Sequence, residues 1–326
     1  MRQVVEEVQS TSAPQAGTAE GRPRRWQFAI GASCAVAAVA IWAGWLVVMR
    51  LAVTTTLSAP DLTALRFAVA GPVLLPVVLR RGLALNRLGW PGVVAVVAGA
   101  GAPVALVVGA GLQFAPVAHA AAFYQGVVPL AVALLAALVL KERLTASQKI
   151  GLFLVLAGGI TIGGLGVSDL WGSETIGHLL FLTAAGMTAC YTVAIRYARI
   201  DGLHAAAIAA VASMVIYLPV YVAFIEDGLF RVAPADLVFQ ALYQGVLTAA
   251  VSLALYGRAI RILGASNAAA FVALGPTMSA LMAIPALGEW PSHVTWIAIV
   301  IITMGVYFAS GVPLPQRKPR IILALR

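Results

Sequence analysis

Few side chains in this chain are equipped for chemistry, and where they fall matters more than how many there are. Asp and Glu account for 12 of the 326 residues. All of them (Glu6, Glu7, Glu20, Asp61, Glu142, Asp169, Glu174, Asp201, Glu226, Asp227, Asp236 and Glu289) lie in polar tails, between long apolar runs, or at the ends of those runs. None lies in the middle of a run. That placement argues against a deep carboxylate proton relay, a carboxylate sodium ligand, a paired-Asp metal site and aspartyl chemistry. Cys34 and Cys190 both fall inside apolar runs and read as small core residues, not as a disulfide or metal site. No metal and no cofactor is expected.

Three basic groups do fall inside apolar runs. Arg66 lies about five residues, roughly 7–8 Å of helix rise, inside the end of its run. A guanidinium there could hold the carboxylate of an anionic or zwitterionic ligand. It could equally snorkel outward and pair with Asp61 or loop carbonyls. Arg50, near the end of the first run, reads as structural. His119 is the one such side chain with an ordinary pKa of about 6.5, so it is the sole candidate proton carrier at neutral pH. Its plainer role is that of a wet, hydrogen-bonded histidine near a helix end. His178, His204 and His293 fall at run ends.

Neutral polar groups are better clustered. Tyr124 and Gln125 sit about ten residues inside one run. Gln240, Tyr243 and Gln244 follow i, i+3, i+4 spacing in another and so share a helical face. Trp42 and Trp45 share a face of the first run. Gln125 and Gln244 reach similar depths, and an amide in an apolar medium needs partners. Either these amides are interhelical glue, worth about 0.6 kcal/mol each, or they line a polar-aromatic cavity with the two tryptophans and two tyrosines.

Such groups must be positioned by elements that composition constrains strongly. Hydrophobic residues make up 61% of the chain, charged residues 10%, and mean hydropathy is +0.96. About 25% charged residues is usual for a soluble domain, so the solvent for most of this chain is the lipid bilayer. Runs of spanning length occur at 28–53, 61–79, 90–112, 115–139 and 148–166, and again at 175–198, 203–225, 236–257, 265–287 and 293–312. The fold class is therefore all-α integral membrane, with ten transmembrane helices. A polar tail over 1–27 is expected to be disordered, and 313–326 forms a basic tail. The run after Arg22, Arg24 and Arg25 is too long for a cleavable signal and reads as a retained first helix.

With the N-terminus in the cytoplasm, 18 of the 21 Lys and Arg residues fall on the cytoplasmic side. One, Arg231, falls outside, and Arg50 and Arg66 are embedded. The positive-inside rule thus predicts both termini in the cytoplasm of a multi-pass protein of the cell (inner or plasma) membrane. Trp26, Trp90, Trp171, Trp290 and Trp296 fall at the two interfaces, as amphipathic rings should. The net charge of +9 is scattered between runs, which does not suggest a nucleic-acid partner.

The chain also repeats itself. Ala120–Phe123 reads AAAF, followed by Pro129 and then Glu142; Ala268–Phe271 reads AAAF, followed by Pro276 and then Glu289. Val48-Met49-Arg50 aligns with Ala194-Ile195-Arg196. Repeats of 28–166 and 175–312 each contain five runs, so the second must be inverted in the membrane. Pro129 and Pro276, at matched positions, could hinge their helices. Gly159 and Gly163 form a GxxxG that would let two helices approach, within the bundle or between protomers.

In this ordered set the chain resembles the drug/metabolite transporter superfamily, in its ten-helix branch of two EamA-type repeats. The motifs are Leu65-Arg66-Phe67, the run Pro129…Leu140-Lys141-Glu142-Arg143-Leu144-Thr145…Gln148…Gly151…Gly158, and the echo Pro276…Leu287-Gly288-Glu289…Gly305. Trp42-Ala43-Gly44-Trp45 departs from the family's usual Trp-Gly-small-Asn. The resemblance implies a secondary transporter that exports small organic metabolites, such as amino acids or related amphipathic compounds, or drugs, by alternating access. Trp42, Trp45, Arg66, His119, Tyr124, Gln125, Gln240, Tyr243 and Gln244 are the expected substrate contacts, and their aromatic share favours partly apolar cargo. A passive channel is the alternative, although inverted repeats favour two-state gating. An intramembrane enzyme would need a buried nucleophile–base pair, which His119 alone does not supply.

Overall fold

A computed structural model of the chain describes residues 25–165, 172–224, 229 and 232–310. Most of the expected tails and of the 167–175 loop, with Trp171 and Arg231, lie outside these residues. The first helix, α1 (Arg25–Thr55), starts three residues before the apolar run, so Arg25, Trp26 and Gln27 are helical instead of part of a tail. It is followed by α2 (Ala59–Arg81), α3 (Leu85–Phe114), α4 (Val117–Val139) and α5 (Ala146–Leu165). The second five are α6 (Ser173–Ala198), α7 (Gly202–Phe224), α8 (Pro234–Leu263), α9 (Ala265–Val272 and Gly275–Leu287) and α10 (His293–Ala309). Among the described residues nine helices are long and apolar enough to cross a membrane, and α10 is an apolar helix of 17 residues.

Their packing has the symmetry that the sequence repeat predicts. Helix α1 packs on α8 and α9, while α6 packs on α3 and α4; α2 packs on α7, and α5 on α10. Replacing each helix by the one five places along maps this set of neighbours onto itself. Successive helices reverse direction and five is odd, so the second half is an inverted copy of the first. Leu46, Met49, Leu112 and Phe181 are fully buried where α1, α3 and α6 meet. Phe153, Ile160 and Val222 stand 70–79% exposed on the outside, an apolar exterior suited to lipid rather than water.

Local sequence explains how several elements begin and end. Ser58 opens α2 with a capping box: its hydroxyl accepts from Asp61 N, and the Asp61 carboxylate accepts from Ser58 N at 2.9 Å. Gly288 ends α9 in the left-handed region at φ 68°, which turns the chain so that Glu289 faces back into the bundle. Pro129 has no N–H for the carbonyl four residues earlier, and the preceding turn, Ala121–Gly126, widens into a π-helix. Its repeat partner Pro276 instead starts the second segment of α9, after a break at Ala273 and Leu274. Helix α3 breaks at Gly101, and the freed Ala102 N–H donates to Ser213 Oγ of α7 at 2.9 Å. A further π-helical stretch, Leu242–Val251, occupies the middle of α8.

One packing expectation is corrected. Within the bundle, Gly159 and Gly163 do not bring two helix backbones together: a Cβ on either would meet only the Phe123 ring, at 3.6 and 3.8 Å. The close approach lies between α5 and α10 and uses different glycines. A Cβ on Gly151 would stand 2.6 Å from Gly305 O, and one on Gly158 would stand 3.0 Å from Ala298 O. The GxxxG spacing is present, but it faces a side chain.

Candidate functional site

The polar and aromatic groups singled out above fall into a central cluster and two groups nearer the helix ends. The central cluster is built around α1. Trp45 donates from Nε1 to Gln244 Oε1 at 2.7 Å, and Trp42 donates to Ser252 Oγ at 2.9 Å, so both rings reach α8. Gln240 donates to Val48 O at 3.5 Å and Tyr243 OH to Ile41 O at 3.2 Å. Gln244 also donates to Gln240 Oε1 at 3.4 Å. From α4, Gln125 donates to Trp42 O at 3.4 Å and accepts from Ser279 Oγ of α9 at 3.0 Å. Tyr124 shares a hydrogen bond with Thr188 of α6 and meets Trp45 edge-on, with centroids 6.3 Å apart. Gln240 and Gln244 are almost wholly buried; Trp42, Arg66, Tyr124, Gln125 and Tyr243 are each partly open.

Arg66 departs from the snorkelling expectation. Its guanidinium carbon lies 5.2 Å from the Trp45 ring centre, pointing into the bundle. Pairing with Asp61 is overturned, because that carboxylate is already used. Asp61 accepts from Ser58 N and Oγ and, at 2.6 Å, from Tyr221 OH. No ion pair among the described residues involves Arg66, and its buried Nε has no hydrogen-bond partner among them. Every other polar group of the cluster has an internal partner. A buried cationic donor without an acceptor costs about 1–3 kcal/mol or more.

The basic turns α2–α3, α4–α5, α6–α7 and α8–α9 share one end of the bundle, which carries every described Lys and Arg except Arg50 and Arg66. At that end Arg196 donates to both oxygens of Glu142 at 2.9 and 3.0 Å. A cavity of about 440 Å³ runs from this pair past Pro129 and Thr192 to Tyr256, whose ring packs against Trp42 with centroids 5.2 Å apart. At the opposite end Arg50 pairs with Glu289 at 2.8 Å and also donates to Leu112 O, which bears out its structural role. The other Glu289 oxygen accepts from Val117 N, in the first turn of α4, at 2.9 Å. Arg50 and Arg196 are repeat-matched, and so are Glu289 and Glu142. The two ion pairs are thus the same contact made once at each end.

His119 belongs to neither the central cluster nor these pairs. It lies at the opposite end with His178, whose Nε2 is 3.0 Å from His119 Nδ1, and with Glu174 at 3.7 Å. The sequence alone places His178 only at the end of a run. Its i, i+4 spacing from Glu174 was the available signal.

Comparison with known proteins agrees with this architecture. A model of the EamA-like transporter family matches residues 29–164 and again 175–311. Over 194 residues the chain is 27% identical to the probable terminal-alkyne amino-acid exporter of Streptantibioticus cattleyicolor. That alignment takes in 59% of this chain and 64% of the relative, so less than two thirds of the relative is spanned. A protein of known crystal structure, 24% identical, shares the fold at a TM-score of 0.57, over 88% of this chain and 96% of that one.

Proposed function

The chain belongs to the EamA-like transporter family, and we propose that it exports small zwitterionic metabolites of the amino-acid type by alternating access. The observation that carries the substrate class is Arg66, a partly open guanidinium whose buried Nε has no described partner, beside Trp45 and Tyr124. A carboxylate is the acceptor that best fits a guanidinium fork. In this reading the substrate carboxylate pairs with Arg66, its polar groups meet Tyr124 and Gln125, and its apolar part lies against Trp42, Trp45 and Tyr243. Gln240 and Gln244, buried and bonded to α1, hold the wall. His119 contributes through the opposite end rather than through this cavity. The name of the Streptantibioticus relative, an amino-acid exporter, supports the same substrate class.

The basic end is assigned to the cytoplasm by the positive-inside rule. The cavity at that end then gives substrate an entry toward Trp42. Pro129 and Pro276 sit where α4 and α9 depart from α-helical geometry and serve as hinges. Tags at either terminus are expected to remain cytoplasmic, whereas one inserted in the 167–175 loop is expected outside. Termini on opposite sides of the membrane would refute this orientation.

Uptake of a labelled amino-acid panel into inside-out vesicles tests the function itself. Apolar zwitterions should accumulate or exchange, and the corresponding amines without a carboxylate should not compete. On the same assay Gln125→Ala is expected to lower transport several-fold at near-normal abundance, because it removes about one net hydrogen bond of ~1 kcal/mol. Gln244→Ala is expected to lower abundance and transport together, because it strands the Trp45 N–H. Equal abundance loss in both variants would make Gln125 a packing residue.

A further inference from the structure

The group at the end opposite the basic turns has features that transport of an amino acid does not require. His119 Nδ1 is 3.0 Å from His178 Nε2 and 3.7 Å from Glu174 Oε2, and the three ligand-type atoms lie within 4.8 Å of one another. An ion that binds nitrogen and oxygen at about 2.0–2.2 Å in a tetrahedron holds its ligands roughly 3.3–3.6 Å apart. The two separations from His119, 3.0 and 3.7 Å, bracket that range, and the third is within 4.8 Å, so shifts of about an ångström, chiefly of the Glu174 side chain, would seat an ion. We propose that His119, His178 and Glu174 bind one divalent transition-metal ion of the zinc type, which ties α4 to α6.

The donor set and its supports favour this. Two imidazoles and a carboxylate suit Zn²⁺, Ni²⁺ or Cu²⁺ over the harder Mg²⁺ and Ca²⁺. Glu174 and His178 are four residues apart on α6 and share a face. The His178 ring lies against Phe123 of α4, with centroids 4.4 Å apart and planes tilted by 31°. Gly177 lets this turn of α6 close on the end of α3, since a Cβ there would stand 3.1 Å from Gly111 O and only 2.7 Å from Cβ of Ala115, the residue that follows the helix. His178 is therefore held by packing, while the half-exposed Glu174 can swing. A cavity of about 510 Å³ that includes His119, Glu174, Glu289 and Trp290 in its lining supplies an entry path and room for a water as fourth ligand. The Glu289 carboxylate in that lining is already engaged by Arg50 and Val117 N, so it adds negative field without adding a ligand. Among the described residues the two imidazoles make one hydrogen bond, to each other.

Helix α4 belongs to the first half of the chain and α6 to the second. An ion bridging them would hold this end of the bundle shut. That consequence rests on the alternating-access reading; the binding site does not.

The full chain, purified on a tag without histidine and placed in lipid nanodiscs, should bind Zn²⁺ alone at one ion per chain by calorimetry. Co²⁺ alone should give the visible spectrum of a four-coordinate ion. Both His178→Asn and Glu174→Gln should weaken binding tenfold or more while zinc-free transport persists. If His178→Asn fails to elute as a folded species, the exposed Glu174→Gln decides. Absent binding, or binding unchanged by Glu174→Gln, would overturn the site. External Zn²⁺ should inhibit wild-type transport, with at least tenfold weaker inhibition in the variants. Binding at these residues without inhibition would overturn the bridge between halves. Absence of any transport by the wild type, with Zn²⁺ still bound, would refute the substrate reading and leave the metal site standing.

Discussion

Arg66→Ala is expected to reduce transport of a zwitterionic substrate about 100-fold while leaving the amount of folded protein in the membrane unchanged or slightly raised. The two halves of that expectation come from the same fact. A guanidinium–carboxylate pair away from water, once one partner is removed, loses about 3 kcal/mol or more, and every 1.4 kcal/mol is about tenfold. The free protein loses no such pair, because Asp61 is held by Ser58 and Tyr221 and no described acceptor meets Arg66 Nε. A cation within a membrane span is itself costly, by about 2.5 kcal/mol or more, so its removal relieves the folded state even after the contact with Trp45 is lost. Arg66→Lys should keep the charge but lose the fork, with a loss nearer tenfold. An amine lacking the carboxylate should discriminate least: whatever rate it has in the wild type should survive in Arg66→Ala. If abundance falls in step with transport, Arg66 is a structural residue and the substrate class loses its support.

The contrast between Arg66 and Arg50 shows what the chain discloses and what only folding discloses. Both are cations inside apolar runs near the same membrane face. Arg50 lies near the end of its run, where a structural role was legible, and its repeat match with Arg196, like that of Glu289 with Glu142, fits the pair that the fold makes at each end. Arg66 was ambiguous because its one nearby carboxylate, Asp61, lies within reach along the helix. The resolving signal was also in the sequence: Ser58-x-x-Asp61 is a capping box, which commits that carboxylate to its own helix end. That the ring hydroxyl of Tyr221, 160 residues away, completes the set could not be read locally. The ten spans and the inversion were legible because lipid punishes polar backbone and charge uniformly. The meeting of His119 with His178 was not, because it depends on how closely α6 settles on α3 at Gly177. Gly159 and Gly163 show the converse: within the bundle the motif meets only Phe123, and Gly151, Gly158 and Gly305 make the close approach instead.

The matched ion pairs make a prediction about both ends of the bundle at once. Arg50–Glu289 is the more enclosed, with side chains 18% and 21% exposed, and it also holds Val117 N and Leu112 O. Arg196–Glu142 is 45% and 49% exposed and stands at the mouth of the basic-end cavity. Exposed pairs contribute about 1 kcal/mol or less, whereas charge-assisted bonds that are partly shielded contribute about 1.5–3 kcal/mol. Glu289→Gln is therefore expected to cost the closed state of its end about 2 kcal/mol and to shift the balance toward opening there by roughly 30-fold. Ala283, nearly fully buried, lines the cavity at that end, so it can report the change. With Cys34 and Cys190 replaced by Ala, Ala283→Cys should react slowly with a membrane-impermeant thiol reagent added outside. It should react many-fold faster once Glu289→Gln is added. Glu142→Gln, the repeat equivalent, should move the same reaction only slightly and in the opposite direction. The swap of Arg50→Glu with Glu289→Arg should restore much of the slow reaction, although the bond to Val117 N is not recovered. Acceleration by both glutamine variants would mean that each merely loosens the fold, and the two pairs would then not be alternating gates.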